Sequence, residues 1–207
     1  MTFYPMMLNL AGKKVVVIGG GKVAERKVKG LLEADAQIVV VSPEATDDIA
    51  SLSGEGLIEW VQRPFSGADI QGALLIFATT NDRKLNQEIK DLAESHQFVT
   101  IADDPDGSDF HVPAQVKRGR LSIAVSTNGA SPMLARQIRE RLELEFDARY
   151  EAYVEFLYQA RKKILAEVTD PFLKKKLLQK ISSPEFWKNG DWETQFRSLY
   201  KGSHHQS

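Results

Sequence analysis

The chain has 207 residues, of which 43% are hydrophobic, and a formal net charge of −1. This length and composition predict a globular protein of one or two domains, and the charge argues against nucleic acid as the main partner. The absence of cysteine excludes disulfides and thiolate chemistry, and no apolar stretch is long enough for a membrane span. We therefore expect a soluble, cytoplasmic protein with no signal peptide and no membrane partner.

A glycine-rich turn follows the first predicted strand, 13–18, and precedes a helix predicted over 22–34. Gly19, Gly21 and Ala24 form the Gly-x-Gly-x-x-Ala pattern of dinucleotide-binding turns, in which glycine permits the tight turn and the close approach of a pyrophosphate. The free N–H groups of the helix would face the phosphates. The alternative is a turn that is glycine-rich for packing alone. The predicted cofactor-binding residues here are Gly19, Gly20, Gly21, Lys22, Val23 and Ala24. The predicted apolar face of the helix is Val23, Val28, Leu31 and Leu32.

Strand and helix patterns then alternate. Strands are predicted over 37–41, 57–62, 74–78 and 98–102. One helix is predicted over 47–52, and Asp82 can cap a second helix that runs to about residue 95. This order is typical of an α/β domain with a Rossmann-type parallel sheet, in which ligands bind at the carboxyl ends of the strands. The further cofactor-binding residues predicted at that edge are Ser42, Pro43, Thr79, Thr80 and Asn81.

The end of the second strand bears on the choice of dinucleotide. NAD-binding domains usually place Asp or Glu there to hold the ribose hydroxyls, whereas this chain has Ser42. No arginine stands beside Ser42 in the sequence to bind a 2′-phosphate. We predict NAD, with NADP as the open alternative.

The pattern changes after Asp103. Strands predicted over 111–117 and 121–126 form a hairpin, and Ser131 with Pro132 predicts the start of a helix. The rest of the chain is predicted to be helical, with a frayed tail in which His204 and His205 hold no metal. We predict a Rossmann domain over 1–112, a β-hairpin/helix dimerisation segment over 113–147 and a helical C-terminal domain over 148–207. Since so short a segment cannot easily bury its own apolar face, we expect it to form a homodimer.

Several polar residues are candidates for chemistry. Asp103 follows a strand directly, so we expect it at the nicotinamide end of the crevice, and His111 is a second catalytic candidate. As alternatives, Asp103 serves only a turn and His111 only the packing. The predicted substrate-binding residues, which could equally be capping residues and a solvated face, are Arg118, Arg120, Thr127, Asn128 and Gly129. No cluster has metal-ligand spacing.

Several strings resemble one known family: YP at 4–5, LNL at 8–10, VIGGGKVAERK at 17–27, VVSP at 40–43, FATTND at 77–82, ADDP at 102–105, DFHVPA at 109–114 and IAVSTNGASP at 123–132. The chain resembles the precorrin-2 dehydrogenases, a module that also forms the N-terminal part of bacterial siroheme synthase. The resemblance implies NAD-dependent oxidation of precorrin-2 to sirohydrochlorin in siroheme biosynthesis, Asp103 as the catalytic carboxylate and a dimer through the middle segment. Thr127 stands where some relatives carry serine.

Some members of the family also insert ferrous iron, so the resemblance leaves open a chelatase activity or a separate chelatase partner. Two other readings remain. One is a regulatory protein that senses NAD(H), for which Asp103 and the block over 113–132 would be unnecessary. The other is a small-acid dehydrogenase, which should carry a clearer Lys or His proton donor.

Overall fold

The structure, a computed structural model, describes residues 3–204, with side chains to residue 201. It divides into two compact units, Met1–Val112 and Pro113–Ser207. The last helix continues to His204, so it extends into the segment predicted to be a frayed tail. His204 is the last described residue and His205 lies outside the described residues, so the prediction for this histidine pair stays a prediction.

The first unit is built on a five-stranded parallel sheet. Its strands are β1 (Lys14–Ile18), β2 (Gln37–Val41), β3 (Glu59–Val61), β4 (Leu75–Ala78) and β5 (Phe98–Ile101). Their order, β3-β2-β1-β4-β5, changes direction between β1 and β4. The helices are α1 (Lys22–Leu32), α2 (Asp47–Gly54) and α3 (Arg83–Leu92), with a short 3-10 helix at Gly67–Ile70. The predicted α/β architecture is confirmed, and the switch in strand order is where such sheets bind ligands.

Both faces of the sheet are covered. The consecutive residues Val15, Val16 and Val17 of β1 are fully buried, and they belong alternately to two apolar clusters on opposite faces. Parallel strands covered on both faces show such continuous apolar runs. The prediction for α1 was wrong at Val23, which is 39% exposed. Val23 and Val28 are five residues apart, about 140° around a helix with 3.6 residues per turn, so they cannot share one face.

The second unit contains an antiparallel hairpin, β6 (Ala114–Arg118) and β7 (Leu121–Val125), and five helices among its described residues. They are α4 (Pro132–Glu145), α5 (Arg149–Glu167), α6 (Pro171–Ile181), α7 (Pro184–Lys188) and α8 (Trp192–His204). The first strand begins three residues later than predicted. Pro113 immediately precedes it and has no N–H to donate to a ladder.

The hairpin does bury an apolar face within its own unit. Both strands contact α4, and Val116 is 1% exposed. Within the segment 113–147, α4 therefore covers one side of the hairpin. Apolar side chains on α4 remain exposed instead, namely Met133 (64%), Leu134 (47%) and Leu144 (83%). The dimer stays a prediction.

The remaining helices pack around a second core of aromatic and aliphatic side chains. Ile164, Leu177 and Ile181 are at most 2% exposed, and the Tyr153 hydroxyl donates to the Ile181 carbonyl at 2.7 Å. Proline begins both α6 and α7, where the missing N–H costs nothing. Within the described part of the chain, no helix combines the length and apolarity needed to cross a membrane.

Candidate dinucleotide-binding and catalytic site

The glycine turn is fixed by its neighbours on two sides and open on the third. Gly19 has φ +113°, and a Cβ there would lie 2.8 Å from the Thr79 carbonyl oxygen. A Cβ on Gly20 would overlap the carbonyl oxygen of Glu44. A Cβ on Gly21 would meet nothing within 4 Å. Gly19 therefore packs against the residue after β4, Gly20 packs against the segment after β2, and Gly21 faces open space.

The N-terminus of α1 is available to an anion. Gly21 is its N-cap and supplies no side-chain cap, so the first backbone N–H groups are not satisfied in that way. Ala24 is fully buried against the sheet, whereas Lys22 and Val23 are exposed. The open space beside the Gly21 Cα and the uncapped N-terminus of α1 together fit the pyrophosphate of a dinucleotide.

A buried carboxylate lies in the first turn of α1. Glu25 is 7% exposed and accepts hydrogen bonds from the Lys22 and Lys29 ammonium groups, both at 2.9 Å. These hydrogen bonds lower the pKa of Glu25 to about 2. Lys29 also contacts Asp48, the second residue of α2. The cluster ties α1 to α2 and leaves no unbalanced negative charge beside the helix N-terminus.

The predicted ribose-binding residues lie at the carboxyl end of β2. The Ser42 hydroxyl donates to the Glu44 carbonyl at 2.6 Å, and Trp60 Nε1 donates to the Ser42 carbonyl at 3.0 Å. Pro43 is exposed. Arg63, which follows β3, donates to both Asp69 oxygens at 2.9 and 2.6 Å, and this pairing lowers the pKa of Asp69. Arg63 is therefore already paired with a carboxylate.

The residues after β4 differ in their roles. The Thr79 hydroxyl is buried and donates to the Ile18 carbonyl at 2.8 Å, so it joins β4 to β1. Thr80 is half-buried and Asn81 is exposed. Asp82 caps α3 as predicted, since its carboxylate accepts from the backbone N–H groups of Lys84 and Leu85.

Asp103 lies beyond β5, with 34% of its side chain exposed. Arg83 Nε donates to its Oδ2 at 2.9 Å, and Asn86 Nδ2 donates to its Oδ1 at 3.2 Å. The Asn86 amide oxygen also accepts from the Thr80 hydroxyl at 2.7 Å. The residues predicted after β4 and β5 are thus connected through a side chain of α3.

The loop that carries Asp103 is pinned to β5. The Ser108 hydroxyl accepts from the Ile101 N–H at 2.9 Å and donates to the Asp104 carbonyl at 2.8 Å. The Asp109 carboxylate accepts from the Val99 N–H at 2.8 Å and also contacts Lys90. Asp104 accepts from the Gly107 N–H at 3.1 Å and so stabilises the turn. The backbone around Asp103 is therefore held on both sides.

His111 packs against an aromatic side chain. Its ring meets the Phe3 ring edge-to-face, with centroids 4.3 Å apart, and it is exposed. The hydrogen bonds that Asp103 accepts come from α3 instead. A role for His111 remains a prediction.

The candidate substrate-binding residues belong to the second unit. Arg118 donates to the Lys117 and Glu143 carbonyls at 2.8 and 3.4 Å. Arg120 donates to Glu155 at 2.7 Å, which raises the pKa of Arg120, and its guanidinium lies 3.7 Å from the Tyr158 ring centroid. Both arginines thus have partners within their own unit.

The loop before α4 is stabilised mainly by its own hydroxyls. Thr127 Oγ1 accepts from the Ser131 N–H and donates to the Ser131 carbonyl, both at 3.0 Å. Asn128 and Gly129 have φ values of +49° and +84°. Ser131 caps α4 as predicted, since its hydroxyl accepts from the Leu134 N–H at 3.1 Å. The capping role given as an alternative for this loop is thus present.

Sequence reasoning missed Arg83 and Asn86. Both are polar residues in the first half of α3, a helix with many charged residues, so the sequence suggested a solvated face. The available signal was the position of Asn86 beside Leu85 and Ile89, which pack into one apolar cluster. An amide on that stripe must find buried partners.

Comparisons with known proteins agree with this geometry. Three family models match: NAD(P)-binding over residues 6–114, sirohaem biosynthesis protein central over 118–144, and SirC C-terminal domain over 150–196. The precorrin-2 dehydrogenase of Priestia megaterium is 37% identical over 76% of this chain and 78% of its own length. A siroheme synthase of Neisseria meningitidis serogroup C (strain 053442) is 41% identical over 69% of this chain, which spans only 30% of that protein. A solved structure named "SirC, precorrin-2 dehydrogenase" superposes with a TM-score of 0.85 at 32% identity, covering 96% of this chain and 100% of that one.

The parallel sheet and its glycine turn define a dinucleotide-binding protein, in agreement with the first of these matches. The similarity extends through the hairpin and the C-terminal helices. The chain belongs to the precorrin-2 dehydrogenase family.

Proposed function

We propose that this protein catalyses the NAD-dependent oxidation of precorrin-2 to sirohydrochlorin, a step of siroheme biosynthesis. The observation that carries the proposal is the Asp103 carboxylate, held by two side-chain donors at the edge of the sheet that also bears the glycine turn. Membership of a family with relatives named precorrin-2 dehydrogenase supplies the substrate and the cofactor. A regulatory protein that only senses NAD(H) would not need this carboxylate.

The cofactor is NAD, held by the glycine turn and the N-terminus of α1. Gly21 leaves room for the pyrophosphate, and the first N–H groups of α1 bind its oxygens. Ser42 and Pro43 lie at the strand end where the ribose of a dinucleotide is held in this fold. The further contacts that we assign to the cofactor come from Thr79, Thr80 and Asn81. Bound NAD⁺ supplies a hydride acceptor.

Asp103 acts on the macrocycle. An ionised carboxylate has about four acceptor positions, and the donors from α3 occupy two of them. The others can stabilise the positive charge that develops as a hydride leaves a meso carbon, and can accept the proton whose loss completes the conjugation. We assign His111 a secondary role in orienting the reacting groups.

The basic second unit suits a substrate that carries eight carboxylates. Arg120 is paired with Glu155, but their side chains are 50% and 48% exposed, and an exposed ion pair of this kind is weak. Arg120 can therefore exchange Glu155 for a substrate carboxylate. The further residues that we assign to substrate binding are Arg118, Thr127, Asn128 and Gly129.

The test is an anaerobic absorbance assay with precorrin-2, NAD⁺ and the purified protein. We expect sirohydrochlorin, detected by its absorbance spectrum, and NADH to form in equal amounts. Binding of NADH without any change in the precorrin-2 spectrum would favour the sensing protein instead.

Insertion of ferrous iron into sirohydrochlorin is a second candidate activity. Support comes from relatives named siroheme synthase, one of which is similar over 69% of this chain. Among the described residues, no group of three His, Asp or Glu side chains could hold a metal ion. We therefore place Asp103 as the base that removes the pyrrole protons, with the metal as a substrate. Adding ferrous or cobaltous ion to the same assay tests this, and an unchanged sirohydrochlorin spectrum would assign the step to a separate chelatase partner.

We propose that the protein functions as a cytoplasmic homodimer. Its domains would be a Rossmann domain over 1–112, a dimerisation segment over 113–147 and a helical C-terminal domain over 148–207. The exposed side chains of Met133, Leu134 and Leu144 on α4 supply apolar surface for a second copy. Light scattering of the purified chain tests this assignment. A monomeric mass at micromolar concentration would remove it.

A further inference from the structure

A buried amide connects two strand ends of the candidate site. Asn86 is 1% exposed. Its Oδ1 accepts from the Thr80 backbone N–H at 3.2 Å and from the Thr80 hydroxyl at 2.7 Å. Its Nδ2 donates to the Thr80 carbonyl at 3.1 Å and to Asp103 Oδ1 at 3.2 Å. A single side chain therefore contacts the segment after β4 and the carboxylate after β5.

This amide occupies a position where packing alone would favour an apolar residue. Its neighbours Leu85 and Ile89 both belong to the apolar cluster on that face of the sheet. A buried amide costs free energy unless its hydrogen bonds are made. Here both ends of the amide are satisfied by groups at the site, and a fully satisfied buried network is rigid.

Arg83 completes the arrangement around Asp103. It lies three residues before Asn86 on the same helix, so both side chains reach the same side of α3. Arg83 Nε holds Oδ2 and Asn86 Nδ2 holds Oδ1, so the carboxylate has one donor on each oxygen. Two donors from one helix fix the direction of the carboxylate plane.

We propose that Asn86 is a positioning residue that couples the cofactor-binding segment at Thr80 to the orientation of Asp103, with Arg83 as the charged partner. The inference rests on the proposed function, because it assigns Asp103 and Thr80 their roles. A change at Asn86 disturbs both the carboxylate and the Thr80 backbone. A change at Arg83 disturbs the carboxylate alone.

A matched control is available in the same unit. Gln97 is 5% exposed, and its amide donates to the Ile70 and Ala73 carbonyls at 2.5 and 2.9 Å. Both Asn86→Ala and Gln97→Ala therefore remove a buried amide and leave backbone groups without a partner. Only Asn86 is bonded to residues assigned to the site.

The experiment compares the full-length variants in the anaerobic assay, with thermal unfolding in parallel. We expect both alanine variants to lower Tm. Asn86→Ala should reduce kcat by about tenfold, the effect of losing one hydrogen bond to a charged group, with the KM for precorrin-2 almost unchanged. It should also raise the KM for NAD⁺, because the Thr80 backbone N–H and carbonyl lose their hydrogen bonds to the Asn86 amide. Gln97→Ala should keep the wild-type kcat.

Arg83 provides a second arm that does not endanger the fold, since its side chain is 85% exposed. Arg83→Gln should lower kcat without changing the KM for NAD⁺, and Arg83→Lys should recover part of the loss. Lys84→Gln, on the next exposed position of α3, should match the wild type.

Two results would overturn the inference. Wild-type kcat in folded Asn86→Ala would make Asn86 merely structural, and so would equal kcat losses in Asn86→Ala and Gln97→Ala. Absence of turnover in the wild-type protein would instead refute the proposed function, and the inference with it.

Discussion

The edge of the parallel sheet and the basic hairpin hold their candidate site residues by different means. At the sheet edge, buried hydrogen bonds contribute to the site: Thr79 is bonded to the β1 backbone, and Asp103 accepts from the buried Asn86 as well as from the exposed Arg83. On the hairpin, Arg120 is held by exposed partners, Glu155 and Tyr158. Buried networks fix one geometry, whereas exposed ion pairs exchange readily. The difference matches a rigid catalytic edge and an adaptable surface for a polyanionic substrate.

The largest effects on stability and on cofactor affinity should come from two adjacent glycines at the sheet edge. Gly20→Ala places a Cβ against the Glu44 carbonyl, so we expect a loss of about 1–3 kcal/mol in the free energy of unfolding. Gly21→Val should leave Tm unchanged, because its Cβ meets open space, but should weaken NADH binding by more than tenfold. Thermal unfolding and NADH fluorescence titration measure the two quantities.

This pair tests whether the space before Gly21 is the cofactor site. Gly20→Ala disturbs the turn itself and serves as the control, whereas Gly21→Val fills the space that the cofactor would occupy. Wild-type NADH affinity in Gly21→Val would place the cofactor elsewhere.

A smaller, pH-dependent effect is expected at Glu25. Its pKa is about 2 in the folded protein and about 4.3 in an unfolded chain. Because the folded value is lower, the unfolded chain binds more protons between these values, and the stabilisation is complete above about pH 4.3 and lost as the pH falls toward 2. Glu25→Gln should lower Tm at pH 7, by an amount that shrinks over this acid range. Circular dichroism melts at a series of pH values measure the Tm difference between this variant and the wild type. A difference that does not depend on pH would contradict the lowered pKa of Glu25.

Only a small effect on stability is expected at the hairpin. Arg120→Gln removes an exposed ion pair and a cation–ring contact, so Tm should change little. If Arg120 binds substrate carboxylates, the KM for precorrin-2 should rise severalfold at low salt while kcat is retained. Glu155→Gln should lower that KM, because it removes the competing carboxylate. An unchanged KM in both variants would remove Arg120 from substrate binding.

Local patterns predicted most of the sheet edge. The glycine spacing and the apolar runs gave the parallel sheet, and short-range capping chemistry gave Asp82 and Ser131 as N-caps. The network at Asn86 could not be predicted in the same way, because its partners Thr80 and Asp103 come from different strands and meet only through the strand order. The hairpin and the start of α4 also follow from local patterns, although the first hairpin strand begins at Ala114 rather than at 111, because Pro113 cannot donate to a ladder.

Replacement of the acid at position 103 tests the proposed chemistry most directly. Asp103→Ala and the isosteric Asp103→Asn should bind NADH as the wild type does, since the glycine turn is untouched, and should lose at least about 100-fold in kcat for precorrin-2 oxidation. Stopped-flow absorbance gives turnover, and fluorescence titration gives affinity. If both variants turned precorrin-2 over at the wild-type rate, Asp103 would have no part in the reaction and the catalytic site would have to be sought elsewhere.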